Sequence, residues 1–214
     1  MSEIHVFERS AELRIDEHIG CADFPCKDVN HQAYILPDID IDPKKISILL
    51  ISEAAPADAG DYYYAQGSPL FQQTTLEAFK ESGAEVSSFR EILDLDVYLT
   101  TAVKCGKTSY TIEANTVKQC SRILDAEIAL FSNLKALLLM GDVAIRAINE
   151  IARRSGEKRV IPAGSTYKLR GQAYTFRGAR VFPSYLQAGP SFYIEKSKRK
   201  MIAQDIAAAL HLSN

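Results

Sequence analysis

The chain has 214 residues, 47% of them hydrophobic, so it is long enough to bury a full core as one domain. Its net charge of −2 shows no general preference for nucleic acid, and no stretch approaches the length of a transmembrane helix. The N-terminus lacks the basic and then apolar order of a signal peptide. We therefore expect a cytoplasmic protein without membrane association, in which structural disulfides are rare.

The first half of the chain predicts two strands, each followed by a helix. Residues 46–51 are a short, continuous and β-branched apolar run, which is typical of a buried strand. Residues 74–81 space their apolar side chains as a helix does. A second strand is predicted over 96–103, and apolar positions at helical spacing predict a helix over 116–131.

The second half continues the alternation. Residues 136–140 predict a third strand, and Gly141 and Asp142 then open a helix that runs to Ile151. A hairpin is predicted around Gly178, with a strand that continues to Tyr185, and a final helix covers 194–210. Alternating strands and helices indicate a single three-layer α/β/α domain over 1–214, with a central, mostly parallel sheet.

Four cysteines occur as two pairs, Cys21 with Cys26 and Cys105 with Cys120. Such a set is compatible with disulfides, a zinc site, an iron–sulfur site or cysteines that only pack in the core. The other metal-type ligands close by in the sequence are His18 and His31. A four-thiolate site is the natural metal hypothesis, because four thiolates suit zinc or an iron–sulfur cluster.

Three segments follow predicted strands at what would be the same edge of the sheet: residues 52–56, 100–101 and 184–191. In open α/β sheets, ligands bind beyond the carboxyl ends of the strands. The sequence therefore predicts a ligand pocket at this edge.

Four segments in order resemble motifs of the uracil-DNA glycosylase superfamily, most closely its iron–sulfur members of families 4 and 5. Ser-Glu-Ala-Ala-Pro at 52–56 is similar to the first motif, and Gly-Ser-Pro-Leu-Phe at 67–71 is similar to a following Gly-x-Pro-Phe segment. Tyr-Leu-Thr-Thr-Ala-Val-Lys-Cys at 98–105 resembles the family's Tyr-Ile-Thr-Asn-Val-Val-Lys-Cys. Leu-Met-Gly-Asp-Val-Ala at 139–144 resembles its Leu-Gly-x-x-Ala. The resemblance spans the chain from Cys21 to the last helix.

The resemblance implies a uracil-DNA glycosylase-like fold that hydrolyses the N-glycosidic bond of a base in DNA. It also implies that Cys21, Cys26, Cys105 and Cys120 hold an iron–sulfur cluster of the 4Fe–4S type, with zinc as the lesser alternative. The first pair encloses four residues, whereas the family usually has two there. Such a cluster would join the N-terminal segment to the helix that carries Cys120.

Two departures from the family bear on its substrate. Thr101 stands where the family has the asparagine that reads uracil, and a hydroxyl cannot span the same base edge as an amide. The family's last motif carries a histidine, but here the aligned position is Leu186 or Phe182. We therefore expect uracil excision to be slow or absent.

The predicted site residues follow from these positions. Glu53 is the candidate catalytic carboxylate, with a loop cap as the alternative. Tyr64 and Phe71 are candidates to stack on an extruded base, although the tyrosine-rich loop equally suits packing over its own core. Thr101, Ser184 and Gln187 are the further candidates for base binding. Gln187 or Phe192 is a candidate wedge into DNA, with a plain strand-to-helix turn capped by Ser191 as the alternative.

Three functions remain open on the sequence. The first is a glycosylase for a damaged base other than uracil, acting on single-stranded or damaged DNA. The second is a catalytically inactive iron–sulfur protein that binds nucleic acid, and the third is an enzyme or sensor for a free nucleotide or another small ligand. Binding to DNA weakens with salt because phosphate contacts release counterions, whereas a small-ligand protein shows little such dependence.

Overall fold

The computed structural model describes residues 13–213, so residues 1–12 and 214 of the domain predicted over 1–214 lie outside the described part. Its regular elements alternate along the chain, with short 3-10 turns between some of them. The strands are β1 (Leu13–Arg14), β2 (Val29–Asn30), β3 (Asp40–Ile41), β4 (Ile48–Ala55), β5 (Val97–Lys107), β6 (Ala136–Met140), β7 (Tyr174–Phe176) and β8 (Ala179–Ser184). The helices are α1 (Leu70–Glu81), α2 (Phe89–Leu93), α3 (Ala114–Ala129), α4 (Asp142–Arg154), α5 (Thr166–Leu169) and α6 (Lys196–Ser213).

Six of the strands form the central sheet, in the order β2-β5-β4-β6-β8-β7. The three inner pairs, β5 with β4, β4 with β6, and β6 with β8, are parallel. The edge strands β2 and β7 run antiparallel to their neighbours, and β7 and β8 form the predicted hairpin. The prediction of a mostly parallel sheet is confirmed. The short strands β1 and β3 pair with each other outside it.

Helices cover both faces of the sheet, so the predicted three-layer α/β/α architecture is confirmed. Alternate residues of β4 point to opposite faces: Leu49 packs in the core under α3 and α4, whereas Leu50 packs in the core under α1 and α6. Burying each such side chain stabilises the fold by about 1.5–3 kcal/mol. Continuous apolar strands are what a sheet buried on both faces requires.

Several elements differ from those predicted. Strand β4 runs from Ile48 to Ala55 rather than over 46–51, so Ser52 and Glu53 lie inside the strand and not in the loop after it. Helix α1 begins at Leu70, four residues before the predicted start, directly after Pro69. Strand β5 continues to Lys107, whereas the prediction ends it at 103. The prediction stops there because lysine is rarely buried, but Lys104 is buried within the strand. Helix α2 was not predicted, although Ser88 caps it by accepting a hydrogen bond from the backbone of Glu91, a recognisable capping pattern.

In the part of the chain that the structure covers, none of the helices combines the length and the hydropathy that a membrane crossing requires.

Candidate active site at the carboxyl ends of the strands

Three of the predicted site residues lie on strands of the central sheet: Glu53 near the end of β4, Thr101 in the middle of β5 and Ser184 at the end of β8. Ser52 of β4 lies opposite Thr101 of β5 in the parallel register, and Ser184 ends β8 opposite Met140. Since register partners in a sheet point to the same face, Ser52 and Thr101 face α1 and α6, and Glu53 faces α4. The two faces of this edge therefore carry different chemistry.

Glu53 is held in place but keeps contact with solvent. Its Oε2 accepts a hydrogen bond from Lys107 Nζ at 3.1 Å, and its side chain is 17% exposed. The carboxylate also packs on Gly141, ahead of α4, where a Cβ would come within 2.7 Å of Glu53 Cγ and Oε1. Gly141 has a φ of 102°, which also favours glycine. The side-chain hydrogen bond of Glu53 is therefore made to β5 and not to the loop that follows β4.

Gln187 is enclosed in a buried network instead of facing a ligand. Its Nε2 donates to the hydroxyl of Tyr63 at 2.8 Å and to Thr75 Oγ1 at 3.4 Å. Its Oε1 accepts from Ser52 Oγ at 3.2 Å, and Ser52 is also hydrogen-bonded to Tyr63. All four groups are buried, so the network ties the loop after β8 to β4 and α1.

Thr101 and Ser184 are also without exposed surface. Ser184 Oγ donates to Asp205 Oδ2 at 2.6 Å, and Asp205 also accepts from Arg170 at 2.8 Å, which fastens β8 to α6. Thr101 Oγ1, in contrast, is buried without a hydrogen-bond partner among the described residues. An unsatisfied buried hydroxyl costs about 1–3 kcal/mol, so this atom is a free hydrogen-bonding position inside the site.

The aromatic residues of the loop after β4 mostly pack on the protein itself. The hydroxyl of Tyr64 donates to the carbonyl of Leu99 at 2.9 Å and accepts from its backbone N–H at 3.1 Å, which fixes the ring against β5. Phe71 packs on Tyr63 with ring centroids 5.2 Å apart and retains 9% exposure. Its Cε1 lies 3.5 Å from where a Cβ on Gly189 would be, so the loop after β8 covers it.

At the edge where the pocket is predicted, Tyr63 and Gln187 are buried and hydrogen-bonded to each other, and Thr101 and Ser184 have no exposed surface. A cleft of about 570 Å³ lies instead between the end of α1 and the first half of α6. Its lining includes Glu81, Lys196, Arg199 and Lys200. The roles of Glu53, Tyr64, Phe71, Thr101, Ser184 and Gln187 in catalysis or base binding stay predictions.

The four cysteines come from three parts of the fold: Cys21 and Cys26 precede β2, Cys105 is in β5 and Cys120 is in α3. All are free thiols, with Cys26, Cys105 and Cys120 buried and Cys21 half-buried. Burial, followed by the charges of Cys120, Cys26 and Cys21, raises the pKa of the Cys105 thiol to about 12. Burial raises the pKa of Cys120 to about 11, with smaller contributions from Cys26 and Cys21. The four thiols are therefore close enough to interact electrostatically.

His31 joins this cysteine group through both ring nitrogens. Its Nε2 lies 2.7 Å from the carbonyl oxygen of Cys26, which only accepts, so Nε2 carries the hydrogen. Its Nδ1 lies 3.3 Å from Cys105 Sγ. Among residues 13–213, no three side chains of His, Cys, Asp or Glu are arranged to hold a single metal ion.

A buried ion pair between β5 and α3 escaped the sequence analysis. Lys104 Nζ lies 2.5 Å from Glu127 Oε2 and donates to Thr100 Oγ1 at 2.6 Å, and both charged side chains are 0% exposed. The hydroxyls of Tyr98 and Thr100 donate to Glu127 Oε1 at 2.8 and 2.9 Å. The available signal was Glu127 on the apolar stripe of a helix, together with a lysine inside an apolar strand.

The fold and this edge define an α/β/α protein whose candidate site lies toward the carboxyl ends of the parallel strands β4 and β5. The chain belongs to the uracil-DNA glycosylase superfamily, whose family model matches residues 39–209. Proteins of this superfamily act on DNA and generally hydrolyse N-glycosyl bonds. A comparison with curated proteins found no match. The predicted superfamily is confirmed, and the closer resemblance to its iron–sulfur members stays a prediction.

Proposed function

We propose that the protein is a DNA base glycosylase that hydrolyses the N-glycosidic bond of a damaged base other than uracil, or acts only weakly on uracil. The observation that carries the proposal is the fixed and partly exposed carboxylate of Glu53 at the carboxyl edge of the sheet. Hydrolysis of an N-glycosidic bond leaves the sugar electron-poor, and a carboxylate stabilises such a centre or orients the attacking water.

The surroundings of Glu53 support this role. Lys107 occupies Oε2, and Oε1 accepts no hydrogen bond from another described residue, so Oε1 is available to a water molecule. Contact with Gly141 limits where the side chain can move. A group that is held in position before the reaction costs little reorganisation during it.

Thr101 supports recognition of the base. Its buried hydroxyl has no described partner, and a base edge entering the site would supply one. For a base to reach this atom, the loop that carries Gln187 must separate from Tyr63. We propose that Phe71, which lies beneath the same loop, then stacks on the base.

Replacing Glu53 with glutamine is expected to reduce base release by at least about 10²-fold, because the change removes the charge and keeps the shape. Affinity for DNA should stay nearly unchanged, because the variant has the same shape and Lys107 keeps its positive charge. The measurement is release of bases from a panel of damaged oligonucleotides, scored as abasic sites, with affinity measured separately.

Glu157→Gln is the matched control, because Glu157 is exposed beyond the end of α4 and far along the chain from the candidate site. It should release bases at the wild-type rate. If the Glu53 and Glu157 variants release bases at the same rate, Glu53 has no catalytic role. If the wild-type protein releases none of the bases in the panel, the proposed activity itself is contradicted.

We also propose that Cys21, Cys26, Cys105 and Cys120 hold an iron–sulfur cluster of the 4Fe–4S type, with zinc as the alternative. The residue types suit such a group, since all four are free thiols, and Cys120, Cys26 and Cys21 add to burial in raising the pKa of Cys105. Among residues 13–213 no three of them are arranged to hold a metal ion, so the proposal requires the thiols to move closer together when the group binds. Such a group would supply a structural link here. The residues that hold it would join the N-terminal segment to β5 and α3.

Anaerobically purified protein is expected to be brown, with broad absorbance near about 400 nm and stoichiometric iron and sulfide. Cys120→Ser should lose most of this absorbance and iron, whereas Ser109→Ala, at an exposed position beyond β5, should keep both. Colourless protein without iron or zinc, and with a Cys21–Cys26 disulfide mapped by mass spectrometry, would contradict the proposed cluster.

A catalytically inactive nucleic-acid-binding protein is the second candidate. The observation that favours it is the complete burial of Thr101, Ser184 and Gln187, which closes the site in this structure. The two candidates differ in one result: the inactive protein binds damaged oligonucleotides without leaving abasic sites.

A further inference from the structure

Gln187 fastens the loop after β8 to the opposite side of the candidate site. Its side chain is 0% exposed, and so are those of its three hydrogen-bond partners. The amide nitrogen donates to the hydroxyl of Tyr63 at 2.8 Å and to Thr75 Oγ1 at 3.4 Å, and the amide oxygen accepts from Ser52 Oγ at 3.2 Å. These partners lie on α1, on β4 and in the loop after β4. The protein itself therefore takes up the hydrogen-bonding capacity of this amide.

Three of these groups form a closed ring of hydrogen bonds, which we call the Gln187 ring. Gln187 donates to Tyr63, and the hydroxyl hydrogen of Ser52 is donated to Gln187. The hydrogen bond between Tyr63 and Ser52 is therefore one in which Tyr63 donates. Each member donates and accepts within the ring, and hydrogen bonds connected in this way strengthen one another. Loss of any one member should weaken the attachment of the whole loop.

The Gln187 ring lies next to the two residues proposed to receive the base. Ser52 is the register partner of Thr101, so both side chains point to the same face of adjacent strands. At the other end of the loop, the N–H of Gly189 donates to Thr74 Oγ1 at 3.2 Å. A Cβ on Gly189 would lie 3.5 Å from Phe71 Cε1. Thr101 and Phe71 are therefore adjacent to the two points at which this loop is attached.

We propose that Gln187 is a latch that keeps the free protein in a closed, inhibited state, and that a base reaches Thr101 and Phe71 only after the Gln187 ring breaks. The proposal rests on the proposed action on DNA bases, and it deepens that function by naming how the site is regulated. A protein whose binding-competent state is only partly populated binds its ligand more weakly by that fraction. Weakening the latch should therefore raise activity, whereas removing an amide that reads the base would lower it.

Hydrogen exchange of the full chain, followed by mass spectrometry, measures how readily the loop opens. Gln187→Met keeps the length of the side chain and removes its donor and acceptor. It is expected to speed exchange in peptides that cover 186–193 by about 10-fold or more. The reason is that one lost hydrogen bond changes an opening equilibrium by about 2- to 12-fold, and the variant loses three. Peptides of α3, on the other face of the sheet, should exchange at the wild-type rate.

Gln172→Met is the matched control. Gln172 also makes two side-chain hydrogen bonds, with Lys168 and Tyr174, but it is exposed and lies outside the loop. It should leave exchange over 186–193 unchanged. Tyr63→Phe tests the latch from the other side of the ring, and it is the second variant should Gln187→Met not fold. Although it changes a different loop, it should also speed exchange over 186–193.

Release of bases from damaged single-stranded oligonucleotides gives the sign of the effect. Gln187→Met is expected to release bases faster than the wild-type protein, by at least about 2-fold, the smallest effect of one lost hydrogen bond. Gln172→Met should release them at the wild-type rate. Both rates are measured with oligonucleotide below saturation, where the fraction of open protein limits binding.

The outcomes separate the latch from the proposed activity. Faster exchange with faster base release supports the latch, and base release by Gln187→Met alone supports both the latch and the glycosylase. Equal exchange in the Gln187 and Gln172 variants overturns the latch. Faster exchange with slower base release also overturns it, because Gln187 then acts on the base. If no variant releases a base, the glycosylase is contradicted, and faster exchange in both Gln187→Met and Tyr63→Phe still supports the closed loop.

Discussion

Replacing Lys104 with methionine is expected to lower the free energy of unfolding by about 3–5 kcal/mol. The change leaves the carboxylate of Glu127 buried without its cation, and removing one partner of a buried ion pair typically costs this much. Tyr98 and Thr100 still donate to Glu127, but two neutral donors do not replace a charge. Because a whole domain is stable by only about 5–15 kcal/mol, this loss is a large fraction of the total.

Urea unfolding followed by circular dichroism measures this loss, with Lys158→Met as the control. Lys158 is exposed, so its substitution should change the free energy of unfolding by no more than about 0.5 kcal/mol. Should Lys104→Met not fold, the double variant Lys104→Met/Glu127→Gln remains informative. It removes both charges and keeps an acceptor for Tyr98 and Thr100, so it should recover at least half of the lost stability. A cost below about 1 kcal/mol for Lys104→Met would show that the pair contributes little.

Uracil excision is expected to be about 10⁴-fold slower than by a site that has both the asparagine and the histidine of the family. The motif resemblance puts Thr101 where the family has the amide and Leu186 or Phe182 where it has the histidine, and neither of those two side chains can supply a proton or a positive edge to the departing base. Losing one positioned donor typically costs about 10²–10³ in rate, and two losses multiply only if they are independent. Of the two positions that the motif allows for the histidine, Phe182 is buried in β8, whereas Leu186 is half-buried in the loop that follows β8.

Single-turnover release of uracil from a single-stranded oligonucleotide measures this rate. The double variant Thr101→Asn/Leu186→His restores both missing groups and should raise the rate of uracil release above that of the wild-type protein. Leu186→Phe, which adds a ring without a proton, is the control and should not raise it. Uracil release by the wild-type protein at rates ordinary for the superfamily would show that the substitutions do not set the specificity.

The sequence predicts the strands and helices correctly where the hydrophobic pattern of a segment matches the burial of its residues in the fold. The apolar runs at 46–51 and 136–140 correspond to β4 and β6, because a strand buried on both faces requires continuous apolar residues. Strand β5 was predicted too short. Lysine at position 104 looks like the end of a buried strand, and only the carboxylate of Glu127, 23 positions away, makes its burial tolerable.

The candidate site was predictable in position and not in detail. Parallel topology alone brings Ser52, Thr101 and Ser184 to one edge, so their common location follows from the order of strands and helices. Whether a side chain there meets solvent depends on the opposing loop. Gln187 looked available to a base, yet its hydrogen bonds to Tyr63 and Thr75 enclose it.

By itself, the sequence determined the fold class and the superfamily, because both depend on residue identity and spacing along the chain. Only the tertiary structure decided which polar groups are paired and which are free. It left the hydroxyl of Thr101 without a partner and joined Lys104 to Glu127. It also placed Lys107 of β5 3.1 Å from the carboxylate of Glu53 in β4. Pairing depends on what lies opposite in space, and residues far apart in the chain supply those partners.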